Sequence, residues 1–191
     1  GPERLELTTY QNQLSLIAES FRLTLTSILF SGRNGSRPRV VVLSSANPRE
    51  GKTTVLSNLG IALAQADQRV LLVDGDMRLP RLHEIFSLEN HVGLGEVLTA
   101  QASLSVLETK IPNLFVLPSG HRQDTGLLFK PELRSLLRRL KADFDMSPGL
   151  KGGNADPDYD YTFFPEIGAA AADAYQQADI TNPRSQIAMA E

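Results

Sequence analysis

The feature that most constrains this chain is a loop set between an apolar run and an amphipathic helix. The run Val40-Val-Val-Leu43 is typical of a strand covered on both faces. A segment from Ala46 to Thr53 follows, and then a helix pattern with Leu56, Leu59 and Leu63 on one face. The segment matches the Walker A pattern, with alanine in place of its first glycine. Strand, loop and helix in this order predict a P-loop.

Each residue at the end of this loop has a physical task. Gly51 lets the backbone turn so that successive N–H groups point at phosphate oxygens. Lys52 adds a positive charge near the β- and γ-phosphates, and the Thr53 hydroxyl is a ligand for Mg²⁺. The alternative is an ordinary glycine-containing turn between a strand and a helix. The predicted nucleotide-binding residues are Ala46, Asn47, Pro48, Arg49, Glu50, Gly51, Lys52, Thr53 and Thr54.

Two acids follow the next apolar run, Val70-Leu-Leu-Val73. Asp74 and Asp76 would emerge at the carboxyl end of a strand, where open α/β sheets bind ligands. Beside a P-loop they could hold Mg²⁺ or its waters, and one could accept a proton from an attacking hydroxyl. We assign Asp74 to the metal shell and Asp76 to metal or base, and Arg78 to the acids or to phosphate. The alternative is a turn with an N-capping aspartate.

The remaining patterns give a fold class up to residue 145. Spacings of three and four predict an amphipathic helix from Leu5 to Phe30, whose face is Leu14, Ile17, Phe21, Leu25 and Ile28. A third strand is predicted at Leu114-Phe-Val-Leu117, and a later helix carries Leu133, Leu136, Leu137 and Leu140 on one face. Strands separated by helices predict an α/β fold with a P-loop NTPase-like parallel sheet and flanking helices.

The chain divides into three parts on composition. Residues 1–38 hold the N-terminal helix and a loop, residues 39–145 the P-loop domain, and residues 146–191 a tail. No buried strand is predicted in the tail, so the sheet looks incomplete after residue 145; Ala169 to Gln177 favours a helix. Gly1-Pro2 resembles the remnant of a cleaved tag, which leaves room for a natural extension and a membrane segment upstream.

Composition excludes several classes of function. The hydrophobic share of 41% allows a core, and the net charge of −3 gives no basic field, so nucleic acid is not an expected partner. Absence of cysteine excludes disulfides and thiol catalysis, and fits a cytoplasmic protein. No apolar run reaches the roughly 20 residues of a membrane helix.

Three minor features favour plain interpretations. His83, His91 and His121 lack metal-ligand spacing, which favours surface or helix-end histidines. The acidic stretch from Asp156 to Tyr161 lacks the glycine and glutamate of a calcium loop. A solvated face is predicted for Arg134, Arg138, Arg139 and Lys141, with anionic lipid or an acidic partner as the alternative.

From about Glu19 to Asp145 the chain resembles the bacterial tyrosine kinases, or BY-kinases, of capsular and exopolysaccharide export. The resemblance rests on Ser45-Ala-Asn-Pro-Arg-Glu-Gly-Lys-Thr-Thr54, Asn58-Leu-Gly-Ile-Ala-Leu-Ala64 and Val70-Leu-Leu-Val-Asp-Gly-Asp-Met-Arg78. Gly93-Leu-Gly-Glu-Val-Leu98 and Asn113-Leu-Phe-Val-Leu-Pro-Ser-Gly120 also fit. The Asp-x-Asp-x-Arg element is this family's Walker A′ motif. The P-loop lacks the early lysine of partition and septum-site ATPases.

The resemblance implies transfer of the γ-phosphoryl group of ATP to tyrosines, with ADP as product and Mg²⁺ as cofactor. Lys52, Asp74 and Asp76 would be catalytic, and Thr53, Asp74 and Asp76 would hold the metal. Implied phosphoacceptors are Tyr159, Tyr161 and Tyr175, which would enter the site of a neighbouring copy within a ring. Glu19 and Arg22 would contact that copy, and a membrane-embedded polysaccharide co-polymerase would place the chain at the inner face of the cell membrane.

The sequence departs from this family at three places. Leu25 replaces the second arginine of the Glu-x-x-Arg-x-x-Arg ring motif. Met146-Ser-Pro-Gly-Leu150 follows Asp145 where the family has an apolar strand ending in the Walker B aspartate. The tail holds three tyrosines rather than a dense cluster. Two alternatives stay open: a partition-type ATPase switch, and a nucleotide-binding assembly module without turnover.

Overall fold

The computed structural model of the chain describes residues 4–31, 40–45, 49–121, 124–145, 161–165 and 187–189. Its helices are α1 (Thr8–Gln11), α2 (Leu16–Phe30), α3 (Lys52–Gln65), α4 (Leu82–Phe86), α5 (Leu94–Leu98) and α6 (Pro131–Asp145). Two 3₁₀ turns lie at Leu5–Leu7 and Thr125–Phe129. Its strands are β1 (Val40–Leu43), β2 (Val70–Val73), β3 (Leu107–Glu108), β4 (Leu114–Leu117), β5 (Tyr161–Pro165) and β6 (Ile187–Met189).

The six strands form one sheet in the order β3-β4-β2-β5-β1-β6. All neighbours are parallel except β3 and β4. The predicted α/β fold with a parallel sheet is therefore confirmed. The three predicted strands have the predicted bounds, because each is a short apolar run limited by polar or glycine- and proline-containing segments.

Two strands lie in the tail, where the sequence predicted none, and that prediction is wrong for both segments. β5 occupies the middle of the sheet between β1 and β2, with Phe163 paired to Val41. β6 adds the edge strand beside β1. The residues of β5 include Tyr, Thr and Phe, all β-formers, but a run this short becomes a strand only through its neighbours. The helix predicted from Ala169 to Gln177 lies outside the described residues.

The sheet buries apolar side chains on both faces. One cluster joins α2, α3 and α4 to the sheet, and the other joins α5 and α6 to its opposite face. The predicted apolar face of α6 is confirmed, since Leu133, Leu136, Leu137 and Leu140 are all buried. β2 is enclosed on both faces, because its four residues alternate between the two clusters and none is exposed to solvent.

The N-terminal helix is broken rather than continuous. Residues from Leu5 to Gln11 form a 3₁₀ turn and α1, and α2 begins only at Leu16. Ser15 caps α2 by accepting a hydrogen bond from the Ala18 N–H at 3.1 Å. The break rotates the chain, so that Leu14 is 99% exposed and Ile17 is also exposed. Their predicted place on the buried face is wrong, whereas Leu25 is buried as predicted.

α3 packs against β2 so closely that glycine is required at the contact. A Cβ atom added at Gly60 would lie 2.7 Å from Cδ2 of Leu72, a fully buried side chain of β2. An alanine in an exposed helix normally stabilises relative to glycine by about 1 kcal/mol. In this contact the extra methyl group must displace a packed leucine, which costs about 1–3 kcal/mol.

Gly60→Ala is therefore expected to lower the free energy of unfolding by about 1 kcal/mol, because overpacking outweighs the gain in helix propensity. Urea unfolding measures this change. Leu72→Val is the matched background, since valine lacks the colliding Cδ atoms, and Gly60→Ala should be neutral or stabilising there. An equal cost in both backgrounds would show that the Leu72 contact is not the cause.

Candidate nucleotide-binding site

The loops that carry the predicted site residues leave the sheet at one edge. The registers align Leu43 of β1 with Pro165 of β5, and Val73 of β2 with Leu117 of β4. These strands are parallel, so the segments that follow their last residues emerge side by side. The candidate site is therefore bounded by the loop after β1 and the loop after β2, with the end of β5 between them.

The described part of the P-loop has the backbone that its sequence predicts. Gly51 adopts the left-handed conformation with φ of 88°, and Lys52 begins α3 directly after it. Arg49 also has a positive φ, of 65°. The Lys52 ammonium group lies back across the loop, where Nζ donates a hydrogen bond to Oγ of Ser45 at 2.8 Å. Ala46, Asn47 and Pro48 lie outside the described residues.

The N-terminus of α3 is suited to an anion. Its N-cap residue is Gly51, which has no side chain with which to cap the backbone N–H groups of the first turn. Lys52, Thr53 and Thr54 are the first three residues of this 14-residue helix, and all three are half-buried. The helix dipole concentrates positive charge at this end. These are the features that a phosphate group requires.

Asp74 is a buried carboxylate that holds its own loop together. Its backbone N–H donates to the Leu117 carbonyl at 2.9 Å, which extends the pairing of β2 with β4. Oδ2 accepts hydrogen bonds from the N–H groups of Arg81 and Leu82, both at 3.0 Å. Oδ1 accepts one from the Asp76 N–H at 3.2 Å. Three of about four acceptor positions on this carboxylate are therefore used within the protein.

Asp76 leaves more of its carboxylate available. Oδ1 accepts from the N–H groups of Arg78 and Leu79 at 3.2 and 2.9 Å, which closes a tight turn. Within the described part of the chain, Oδ2 of Asp76 has no hydrogen-bond partner and its residue is partly exposed. The Arg78 side chain is exposed and makes no ion pair with the described residues.

Burial perturbs the first of these two acids. Desolvation raises the pKa of Asp74 from 3.8 to about 6, although the backbone N–H groups of Leu82, Arg81 and Asp76 act to lower it. The nearby charge of Asp76 adds a smaller upward effect. In the absence of metal, Asp74 thus holds a proton in the folded protein at pH values where an exposed aspartate would be ionised.

A buried amide connects the P-loop helix to the N-terminal segment. The Asn58 side chain on α3 accepts from the Thr9 N–H at 2.8 Å and donates to the Leu5 and Thr54 carbonyls at 2.8 and 2.9 Å. The same segment contacts the acidic loop, because Glu6 pairs with Arg81 at 3.0 Å. The N-terminal segment therefore touches the elements that carry both halves of the candidate site.

The sequence missed Ser45, Asn58 and Arg81 as contributors to this site. Ser45 and Asn58 lie within the quoted motifs but carry no charge, and only their partners show what they do. Arg81 acts through its backbone N–H on Asp74, which no residue type reveals. These roles depend on contacts between segments far apart in the sequence.

The structure places the other predicted residues away from this edge or leaves them undescribed. Tyr161 begins β5 and pairs with Val70, at the amino end of the strands and so opposite the P-loop. Glu19 and Arg22 lie on α2, where they form an ion pair of 3.3 Å within the helix. Tyr159 and Tyr175 lie outside the described residues. β5 contains no acid, so the strand next to the P-loop strand does not itself carry the expected third carboxylate.

Known proteins with similar sequences identify the class. The tyrosine-protein kinase YwqD of Bacillus subtilis is 40% identical over 136 residues, which is 69% of this chain and 57% of YwqD. The succinoglycan biosynthesis transport protein ExoP of Rhizobium meliloti is 31% identical over 153 residues, 75% of this chain and 19% of ExoP. The chain thus spans less than two thirds of either relative. No family model matches it.

Solved structures with a similar fold include proteins of the same class. The chimerical protein CapA2B2 superposes with a TM-score of 0.73 over 92% of this chain and 73% of that chain, at 28% identity. The BceF tyrosine kinase domain has a TM-score of 0.68 over 86% of this chain and 62% of that domain, also at 28% identity. The fold is therefore that of P-loop ATPase-like kinase domains.

Within that class the chain is a relative of the bacterial tyrosine kinases, so the resemblance drawn from its motifs is confirmed. Septum-site proteins are also similar: a putative MinD of Emiliania huxleyi is 36% identical over 113 residues, 56% of this chain and 41% of that protein.

Among the described residues, no helix is long and apolar enough to span a membrane.

The raised pKa of Asp74 predicts that, without metal, the folded protein loses stability as the pH rises. Because the folded protein holds the Asp74 proton more tightly than the unfolded chain does, unfolding releases that proton between about pH 4 and pH 6. The contribution of the Asp74 proton to the free energy of unfolding is fully present below the pKa of the unfolded chain. It is lost as pH rises through about 6. A rise from 3.8 to about 6 corresponds to about 3 kcal/mol.

Urea unfolding of the wild type and of Asp74→Asn, in a metal chelator between pH 4.5 and 7.5, tests this prediction. Asparagine stays neutral, so the stability of the wild type relative to the variant should fall by about 2 kcal/mol across the range. Asp124→Asn, which removes an exposed carboxylate, serves as the control. If both variants follow the wild-type pH dependence, the pKa of Asp74 is not raised.

Proposed function

We propose that this chain is the ATP-binding domain of a tyrosine autokinase of polysaccharide synthesis and export. The observation that carries the proposal is the arrangement at one sheet edge: an uncapped α3 beginning with Lys52, and the Asp74-x-Asp76 pair after β2. The similarity to YwqD supports tyrosine as the acceptor, and the similarity to ExoP supports a role in polysaccharide export.

The residues of the loop would bind the triphosphate and neutralise its charge. The backbone N–H groups at the start of α3 and the Lys52 ammonium would contact the phosphates, with Lys52 leaving Ser45 to do so. Neutralising charge at the transferring phosphoryl group is the main way in which such sites lower the barrier. Arg49, Glu50 and Gly51 would shape the rest of the cradle, together with Ala46, Asn47 and Pro48.

The two acids would have different tasks. Oδ2 of Asp76 is available to bind Mg²⁺ or its water, or to accept the proton of an attacking tyrosine hydroxyl. Asp74 would keep the loop in place through its three backbone N–H contacts, and would approach the metal only through Oδ1. Thr53 would supply a hydroxyl ligand, and Arg78 would reach phosphate.

Bound ATP with Mg²⁺ would supply the γ-phosphoryl group; the tyrosine oxygen would receive it, the tyrosine proton would go to Asp76, and ADP would leave. Both groups fit the residues present, since α3 has an uncapped N-terminus and Asp76 has an unpartnered carboxylate oxygen within the described chain. Tyr159 and Tyr175 are the better acceptor candidates. Tyr161 would have to leave a central strand of the sheet to reach a phosphate.

The second candidate is a partition-type ATPase switch, in which water rather than tyrosine attacks the phosphate. The similarity to MinD proteins favours it, while the P-loop sequence Asn47-Pro-Arg-Glu50 has no lysine and favours the kinase. A nucleotide-binding module without turnover is the third possibility, because β5 supplies no third acid.

Incubation with labelled ATP and Mg²⁺ should yield phosphotyrosine, and Lys52→Met should reduce its rate at least 100-fold because an essential charge on the phosphates is lost. Lys110→Met, at an exposed lysine near β3, is the matched control and should leave the rate unchanged. Phosphate release without phosphotyrosine would favour the switch. Nucleotide binding with neither product would favour the assembly module.

We also propose that α2 contacts a neighbouring copy of the chain. Leu16, Leu23 and Phe30 are 87%, 61% and 72% exposed and recur every seven residues, which places them along one side of the helix. Glu19 and Arg22 lie on the same helix and could exchange their ion pair between copies. Such an apolar line on a helix surface is suited to another protein surface.

Leu23→Glu should therefore shift the chain toward monomer, since a charge would be buried in the contact. Light scattering after size-exclusion chromatography, over a range of concentrations, measures this change. Phe129→Glu is the control, because Phe129 is 65% exposed but lies on the Thr125–Phe129 turn. The same mass for all three proteins would contradict a contact through α2.

By resemblance, the natural partner at the membrane would be a membrane-embedded polysaccharide co-polymerase, with the chain at the cytoplasmic face. The similarity to ExoP, described as a transport protein, supports this placement. Nucleic acid is not part of the proposal, because the chain has a net charge of −3.

A further inference from the structure

Two of the three histidines lie against each other on a part of the surface that the kinase proposal does not use. Nδ1 of His91 is 3.3 Å from Nε2 of His121, although the two residues are 30 positions apart in sequence. Their ring centroids are 5.1 Å apart, with the ring planes tilted by 42°. Both residues are exposed. Sequence spacing could not reveal this pair, because only the fold brings the two loops together.

The hydrogen bonds of His121 fix which of its nitrogens is available. Nδ1 of His121 lies 3.0 Å from the backbone carbonyl of His91, and a carbonyl can only accept, so Nδ1 carries the proton. In the neutral ring, Nε2 then has a lone pair, and this lone pair faces Nδ1 of His91. A ring N–H bonded to a backbone carbonyl, with the other nitrogen as the metal ligand, is the usual arrangement of a metal-binding histidine, and Nε2 of His121 would take that role in place of its contact with His91.

The loops that carry the two rings are held together by buried and part-buried hydrogen bonds. The Glu96 carboxylate accepts from the N–H groups of Gly93 and His121, at 3.0 and 3.2 Å. The Asn90 side chain makes two hydrogen bonds with the backbone of Gly120, at 2.8 and 3.2 Å. The chains approach so closely that a Cβ atom at Gly93 would collide with the carbonyl oxygen of Pro118. The fold thus sets the separation of the two backbone segments that carry the rings.

From this geometry we propose that His91 and His121 form a chelating site for a divalent transition metal of the Zn²⁺ class. Tetrahedral Zn²⁺ with Zn–N bonds of about 2.0–2.1 Å places two nitrogen ligands about 3.3–3.4 Å apart, which matches the observed distance. Binding requires His91 to carry its proton on Nε2 and both exposed rings to turn slightly toward the metal. Imidazole nitrogens select Zn²⁺, Cu²⁺ or Ni²⁺ over Mg²⁺.

The site offers two protein ligands, and water or a second molecule would complete the coordination. Within the described residues, no group of three or more histidine, cysteine or acidic side chains is placed to hold a metal. The carboxylate of Glu96 is committed to the backbone N–H groups that hold the loops, so it acts as a support. A bound metal would join the loop before α5 to the loop after β4.

Titration of the purified chain with Zn²⁺ in excess Mg²⁺ tests the proposal, and it is independent of the proposed kinase function. The Mg²⁺ suppresses binding at Asp74 and Asp76. One equivalent of Zn²⁺ should bind, and either His91→Gln or His121→Gln should weaken that binding at least 10-fold. His83→Gln, at the third histidine, is the matched control and should bind as the wild type does.

A second measurement guards against a folding defect in the variants. Zn²⁺ should raise the thermal unfolding temperature of the wild type and of His83→Gln, but not of His91→Gln, while all three should unfold at the same temperature in a chelator. Absence of a one-equivalent binding step in the wild type would overturn the proposal. Equal Zn²⁺ affinity in the wild type and His91→Gln, or an equal loss in His83→Gln, would also overturn it.

Discussion

The parallel pairing of β1, β5, β2 and β4 is the constraint on which the rest of this structure depends. The loops that follow parallel strands leave the sheet at one edge, so the P-loop and the acidic loop lie at the same edge although β1 and β2 are not paired with each other. β5 lies between those two strands and sets their separation. The width of the candidate site is therefore fixed by β5, a strand that contains no charged residue.

The N-terminal segment adds a second constraint to the same edge. Asn58 uses its one carbonyl oxygen and both N–H bonds, which fully satisfies a buried amide. Because one of those bonds ends at Thr54, in the first turn of α3, the segment reaches the P-loop helix itself. Through Glu6 it also reaches Arg81, whose N–H holds Asp74. A displacement of this segment would change both the phosphate end and the acid end of the site.

The sequence predicted those parts of the fold that depend on local patterns. The runs at β1, β2 and β4 and the helix α3 needed only apolar spacing and their flanking turns. The break at Ser15 was less visible, because leucine and isoleucine continue the helical spacing across it. β5 was missed for a different reason: the segment becomes a strand by pairing with β1 and β2, which lie more than 85 residues earlier in the chain.

The same contrast holds for the candidate site: residue types can be recognised in the sequence, but their environments cannot. The P-loop and the acid pair were visible as residue types at fixed spacing. The difference between the two acids was not visible, because Asp74 and Asp76 differ only in how many backbone N–H groups each accepts and in how far each is buried.

The roles proposed for Asp74 and Asp76 differ because a buried carboxylate is costly to ionise. An ionised carboxylate without water is unfavourable unless hydrogen bonds replace that water, and Asp74 has three such bonds yet still has a raised pKa. A cation beside it would remove the remaining cost, so metal binding would stabilise the ionised form of an acid that otherwise resists ionisation. Asp76 is partly exposed, and its Oδ2 accepts no hydrogen bond from the described residues. Under the proposed function, a bound cation would thus shift Asp74 toward its ionised form, and Asp76 would bind the cation or its water through Oδ2.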